Sequence, residues 1–229
     1  VNIETLTHKS RVYIHGGEPT IIPQVYQFMQ TCIDKGNTDF QLAFCTNGEK
    51  LTNHFLDLLK NFTNVSFSFS LDGYGKVNDY WRHGSNWNNI VNNMDLIQSL
   101  GYVVSVNTVP GLYNVTNLHL LWQFLDKKFP STTIYMQVNN QKTQSAYNHP
   151  NHAAVIESLE QCMQTNIYYS DGKSNKSCID SLYQHYTNNP QCDLSSLASF
   201  FSENDRLDRI RGIFLKDYIP LLDQCRSLI

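Results

Sequence analysis

The segment His15-Gly16-Gly17-Glu18-Pro19-Thr20 holds the densest local chemistry in the chain. Adjacent glycines let a ligand reach main-chain N–H and C=O groups with no Cβ in the way, proline fixes φ, and Glu18 adds a carboxylate. Such a corner suits an ammonium group. Paired glycines and a proline are equally ordinary turn chemistry between a strand and a helix, so the segment alone leaves both readings open. Thr46-Asn47-Gly48 and Ser70-Leu71-Asp72-Gly73 gather further hydroxyl, amide and carboxylate groups, and Arg82 lies twelve residues after Ser70. A guanidinium there could grip a carboxylate through two parallel N–H bonds, or could be a solvated loop charge. Asn47 beside Gly48 is expected to organise its own turn.

Other chemistries find no support. The histidines are dispersed, with no HxH or HExxH spacing for zinc. His15, the one beside the glycine pair, reads as a strand residue facing a helix more than as a proton donor. Neither a G-x-S-x-G elbow nor a GxxxxGK[ST] phosphate loop occurs.

The polar segments need a scaffold that presents them together, and the pattern around them supplies one. Short β-branched or aromatic runs at residues 11–15, 39–45, 65–70, 102–107 and 132–138 alternate with helical periodicity at 22–35, 53–61, 86–100 and 115–128. Ile90, Met94, Ile97 and Leu100, for example, share one helix face. A train of βα units folds into an open doubly wound sheet or into a whole or partial barrel, and both collect function at the C-terminal strand ends. The polar segments named above sit at those ends, as do Asn107-Thr108 and Gln137-Val138-Asn139-Asn140. After residue 140 the rhythm stops. A polar stretch leads to helices expected near 153–165, near 177–187 and from 194 to the end, where Leu207, Ile210, Phe214 and Leu215 would share a side.

The 229 residues, 41% hydrophobic, suffice for one sizeable core with an appended segment. With 17 basic and 20 acidic residues the formal charge is −3, so no broad positive field exists for a polyanion, and nucleic acid is not an expected partner. No run approaches roughly 18 apolar residues, and no secretory signal opens the chain. Cys32, Cys45, Cys162, Cys178, Cys192 and Cys225 are scattered, which suits buried free thiols in a reducing compartment. The expectation is a cytoplasmic protein with no membrane partner.

Gly-Gly-Glu-Pro, Thr-Asn-Gly and Ser-Leu-Asp-Gly ending successive strands resemble the radical S-adenosylmethionine superfamily, especially its sulfatase-maturing and peptide-modifying branch. The likeness covers about residues 13–139. It implies an α/β fold: a partial TIM-like (β/α) barrel of parallel strands with about six units, of which five are visible at residues 1–140, followed by a mainly helical C-terminal extension at 141–229. It further implies that Gly16, Gly17 and Glu18 bind the cofactor's methionyl amino group, and that Ser70 lies near its carboxylate or ribose. Asp72 would touch the ligand or brace its loop, Arg82 would meet the carboxylate, and Asn107 the ribose. Residues 136–138, with Gln137 among them, would lie by the adenine, although Met136 equally suits the core.

The same resemblance implies a [4Fe–4S] cluster on three thiolates in CxxxCxxC, and that spacing does not occur here. The triplet belongs ahead of Gly16, where only fifteen residues stand. The expectation is therefore a fragment, opening on Val, whose first βα unit and cluster loop are missing, with no metal ligand in this chain and no catalytic residue assignable. The intact enzyme would cleave S-adenosylmethionine reductively to a 5′-deoxyadenosyl radical. That radical would take hydrogen from a small-molecule or peptide substrate, with a reductant such as flavodoxin or ferredoxin. The isolated chain would lack cluster and turnover. Two alternatives stand beside this: a cluster-less module that binds a nucleoside or S-adenosylmethionine, and a TIM-barrel lyase or isomerase with Glu18 and Asp72 as acid and base.

Overall fold

Alternation along Val65–Ser70 writes strand β3 directly: Val65, Phe67 and Phe69 are buried while the intervening serines are half-exposed. In the computed structural model, which describes residues 2–138, 141–169, 173–188 and 190–229, β3 belongs to a compact unit made of Val1–Ser70 and Asn88–Val106. Its neighbour β2 (Gln41–Thr46) buries Leu42, Ala43 and Phe44 on both faces, as a central strand must. β1 (Arg11–Ile14) leaves Arg11 and Tyr13 exposed and forms the sheet edge. The pairing is parallel, with Tyr13 opposite Ala43 and Phe44 opposite Phe67.

Aromatic packing holds the register. Phe44 stacks on Phe67 at 5.1 Å, and Phe55 from helix α2 (Asn53–Leu59) meets Phe44 edge-on at 5.3 Å. Each fully buried Phe is worth about 1.5–3 kcal/mol in transfer terms, so a one-residue slip of β3, which would turn Phe67 and Phe69 outward, is strongly opposed. Helix α1 (Pro23–Asp34) covers the sheet with Val25, Met29 and Cys32. Residues 76–81 form a short helix, α3 (Lys76–Trp81), and α4 (Trp87–Ser99) buries Ile90, Val91, Met94 and Ile97. Five parallel strands form one sheet in the order β1-β2-β3-β4-β5, where β4 is Val103–Thr108 and β5 is Thr133–Met136. This sequential order with helices between the strands is the α/β fold anticipated from the βα rhythm.

The second unit comprises Leu71–Trp87 and Asn107–Ile229. Helix α5 (Leu118–Lys128) buries Leu118, Leu121, Trp122 and Leu125, and α6 (His152–Met163) buries Val155, Leu159 and Cys162. α7 (Asn166–Tyr169) and α8 (Lys173–Thr187) follow. A separate cluster joins Val77 and Tyr80 of α3 to Leu197, Phe200 and Phe201 of α9 (Leu194–Arg211). None of the helices among the described residues is long and apolar enough to cross a membrane.

Three expectations need correction. The last helix does not run to the end of the chain: Gly212 takes φ +69°, its N–H closes on Asp208 O at 2.8 Å, and α9 stops. Two short helices follow, α10 (Leu215–Tyr218) and α11 (Pro220–Gln224), so the single apolar side is broken. Leu215 is buried, while Ile210 is 70% and Phe214 47% exposed. Nor does His15 face a helix. It lies just beyond β1, exposed, with its ring stacked on Tyr13 at 5.3 Å. And burial does not extend to every thiol, since Cys45 and Cys192 are only partly covered.

Candidate functional site

The eight residues singled out from the sequence fall into two groups, one in each unit. In the first unit, β1 ends and the chain turns through Gly16 at φ +86° and Gly17 at φ +61°. L side chains rarely adopt these angles. A Cβ on Gly17 would stand 3.0 Å from Ile22 Cδ1, whereas one on Gly16 would meet nothing within 4 Å. The turn thus presents its main chain to open space at Gly16, while Ile22 covers it at Gly17.

Glu18 does not point its charge outward as a free carboxylate. Its Oε1 accepts from Thr20 N (3.3 Å), Thr20 Oγ1 (2.8 Å) and Thr46 Oγ1 (2.6 Å), and its Oε2 accepts from Asn47 N at 2.7 Å. Hydrogen bonds to a carboxylate are about twice as strong as neutral ones. Glu18 therefore ties the β1 turn to the loop after β2 and opens the single turn Pro19–Ile21 as its N-cap. The next link is Tyr26, whose hydroxyl donates to Thr20 O and shares a bond with Thr52 Oγ1 at 2.9 Å. Asn47 organises its own turn, accepting from Glu49 N at 2.9 Å. Ser70 closes β3 half-exposed, its hydroxyl 3.7 Å from Cys45 Sγ.

In the second unit, Asp72 and Arg82 come together, with Oδ2 and Nη2 2.6 Å apart. Asp72 Oδ1 also accepts from Val109 N at 2.8 Å, so this acid braces its loop. Burial pushes its carboxyl above the usual carboxylate range, against the opposing pull of the Arg82 guanidinium and the Val109 N–H. Two asparagines without a sequence signal complete the brace. Asn78 Oδ1 accepts from Asp72 N at 3.0 Å, and Asn114 Nδ2 donates to Asp72 O at 2.6 Å and to Val109 O at 3.0 Å. Arg82 thus spends one end on Asp72, while its Nε is buried without a hydrogen-bond partner. Asn107 stands half-exposed near the end of β4, its carbonyl accepting from Leu71 N at 2.9 Å. Gln137 is exposed and donates its N–H to Thr108 O at 3.2 Å. Asn139 and Asn140 lie outside the described residues.

The cysteines do not fit an iron–sulfur cluster. Among the described residues no three or more His, Cys, Asp or Glu side chains group to hold a metal ion. All six thiols are free of disulfides, and burial raises Cys32 and Cys225, pushes Cys178 up to about 12, and lifts Cys162 well above its ordinary value. Thiols held in this way resist the deprotonation that ligation requires.

Comparison with known proteins gives the geometry a family. No curated protein matches the chain. Among solved structures, anSMEcpe with bound AdoMet aligns at TM-score 0.52 and 13% identity, over 74% of this chain and 49% of that one. SuiB from Streptococcus suis aligns at 0.46 and 16%, over 57% and 30%. A domain of the pyruvate-formate lyase-activating enzyme from Bacteroides vulgatus aligns at 0.47 and 14%, over 77% and 94%. The chain thus spans about a third of SuiB and about half of anSMEcpe, and at such identities the likeness speaks for the fold alone. The sequence model described as the Radical SAM superfamily matches residues 3–121, more than half of the chain and the part that carries the first four strands. The chain belongs to the radical SAM superfamily.

Proposed function

We propose that this chain supplies S-adenosylmethionine-binding elements of a radical enzyme that acts on a peptide. The observation that carries the proposal is the Gly16–Gly17 turn, open at Gly16 and followed directly by Glu18, which four hydrogen bonds hold in place. Its main chain takes the methionyl ammonium, with Glu18 as the positioning residue. The Ser70 hydroxyl binds carboxylate or ribose. Each strand end of the second unit has its own candidate: the remaining N–H groups of Arg82 for the carboxylate, Asn107 for the ribose and Gln137 for the adenine edge, while Asp72 orients Arg82.

When bound, the cofactor supplies a 5′-deoxyadenosyl radical that takes a hydrogen atom from the substrate. Its reduction needs a [4Fe–4S] cluster, which the described residues do not fit, and a one-electron donor of the flavodoxin or ferredoxin class. A peptide is the preferred substrate because anSMEcpe, which shares the fold, has been solved with the Cp18Cys peptide bound. The free thiols suit a reducing, cytoplasmic setting.

Titration calorimetry with S-adenosylmethionine on this chain tests the reading. Binding is expected, and Gly16→Val is expected to abolish it with the circular dichroism spectrum unchanged, since at φ +86° a branched side chain both strains the turn and fills the open face. Equal binding by the two proteins would refute the assignment. The lack of a cysteine group among the described residues favours a second reading for the chain by itself, that of a cluster-less binding module. Iron and sulfide analysis after anaerobic reconstitution of the natural full-length gene product separates the two, because a module takes up neither. The lyase alternative loses its ground, with Glu18 saturated by donors and Asp72 paired.

A further inference from the structure

Two cavities on the second unit share a wall along α5. The larger, about 590 Å³, is lined by Tyr74, Leu120, Gln123, Phe124, Lys127 and Lys128. That volume lies in the range of small-ligand and side-chain pockets. Its floor is aromatic: Trp87 meets Tyr74 at 5.3 Å and Phe124 at 5.1 Å, and Tyr74 and Phe124 are 5.4 Å apart. Tyr74 is nevertheless 40% and Leu120 37% exposed, so this apolar surface stands uncovered. The smaller cavity, about 310 Å³, shares Gln123 and Lys127 and adds Gln161, Gln164 and Thr165.

The two halves differ in chemistry and together describe one kind of occupant. Carboxylates are absent from the lining of the larger cavity. Asp126, in the smaller, is already committed, accepting from Ile167 N at 3.2 Å and Asn166 Nδ2 at 3.3 Å. Lys127 makes no ion pair among the described residues. On a chain of net charge −3 this rim is a local reversal of sign. Lysines in the last turn of a helix complement its dipole, which accounts for their position but not for the bare aromatic wall beside them. In the adjoining half Gln123 Nε2 donates to Gln161 Oε1 at 3.2 Å, Gln161 Nε2 to Glu157 Oε1 at 3.3 Å and Thr165 Oγ1 to Cys162 O at 2.7 Å, which leaves Gln164 and the second N–H of each amide as groups of the type that pair with a peptide main chain.

We propose that this groove docks an acidic peptide segment, which sets an aromatic or aliphatic side chain against Tyr74, Leu120 and Phe124, a carboxylate at Lys127 and its main chain along the glutamines. The peptide class rests on the substrate reading above; docking itself requires no cofactor.

Fluorescence anisotropy of a short dye-labelled peptide of alternating Glu and Phe, without S-adenosylmethionine, tests it. Saturable binding is expected, weakening by about tenfold when Lys replaces Glu or Ser replaces Phe in the peptide, and by about fivefold in Lys127→Glu, whose exposed site leaves folding intact. Phe124→Ser should also weaken it. Equal affinity for all three peptides, or an unchanged Lys127→Glu protein, overturns the proposal. So does self-association in sedimentation that Phe124→Ser abolishes, because a second copy would then be the occupant. A protein that binds the peptide but not S-adenosylmethionine refutes only the cofactor reading, and the converse refutes only the groove.

Discussion

The Asp72 carboxylate and the Arg82 guanidinium, 2.6 Å apart, neutralise each other in the loop that follows β3. The acid is almost fully covered, whereas Arg82 keeps 29% of its side chain in solvent. Arg82→Ala would leave a buried carboxylate with one N–H donor, Val109 N, at a cost of about 2–4 kcal/mol near neutral pH, below the full figure for a buried pair because water can enter beside the truncated side chain. The penalty depends on pH in a defined direction. Asp72 already titrates above its ordinary value, and removing the cation raises it further, so the folded protein binds this proton more tightly than the unfolded chain does. The loss should therefore be greatest above neutrality and shrink as pH falls toward the ordinary carboxylate range, where Asp72 becomes protonated in the folded form of both proteins. Urea titrations of wild type and Arg82→Ala across that range check this, and a pH-independent difference would reject it.

Glu18 offers a second test at the first unit's turn. In Glu18→Gln one acceptor oxygen becomes an NH₂, which cannot receive the Asn47 N–H or the three donors now on Oε1. A loss of about 1–3 kcal/mol is expected from the unsatisfied donors. The specific readout is amide exchange. Asn47 N–H should lose protection by about tenfold or more while amides in β3 keep theirs, and an unmoved Asn47 would show that Glu18 does not hold the loop.

Much of this arrangement is legible in the sequence, because β3 alternates with period two and α1 and α4 repeat apolar residues with a helical period. Local pattern fixes such elements. What escapes it depends on contacts distant in sequence. Helix α3 is six residues long, too short for its period to register, and persists because Val77 and Tyr80 enter the cluster around Phe200 and Phe201. The break at Gly212 is reinforced by Asp208, whose Oδ2 accepts from Leu215 N at 2.8 Å. At the site, residue types foretold which positions are polar, but not that Glu18 and Asp72 turn inward. Thr20 and Thr46 stand in the polar segments, yet nothing local marks them as donors to Glu18, and Asn78 and Asn114, which brace Asp72, lie outside those segments.

Native-state alkylation gives a third prediction. Thiolates react, and a thiol that is both covered and raised in pKa seldom becomes one. Cys32, Cys162, Cys178 and Cys225 are buried and raised, so they should label only as the protein unfolds. Cys45 and Cys192 are partly exposed and should label first, Cys192 more slowly since burial and Asp193 raise it. Peptide mapping after a short iodoacetamide pulse would show this order. Early labelling of Cys162 would contradict it.

His149 makes stability depend on mild acid. The ring is wholly buried, its Nδ1 accepts from Asn151 N at 3.1 Å, and Nε2 has no partner. Burial, with His152 adding like charge, lowers its pKa to about 4. The unfolded chain, with an ordinary histidine near 6.5, thus binds a proton that the folded protein refuses between those values. In that window stability must rise with pH, so the contribution is complete above about 6.5 and declines as pH falls toward about 4, by on the order of 3 kcal/mol in total. His149→Phe keeps a planar ring, removes the orphaned donor and abolishes this titration. His119, also lowered by burial, continues to act in the same direction, so the variant's profile should flatten without becoming level. Denaturant midpoints from pH 4 to 7 decide the matter: wild type and His149→Phe with parallel slopes would mean that the imidazole is already hydrated in the native state.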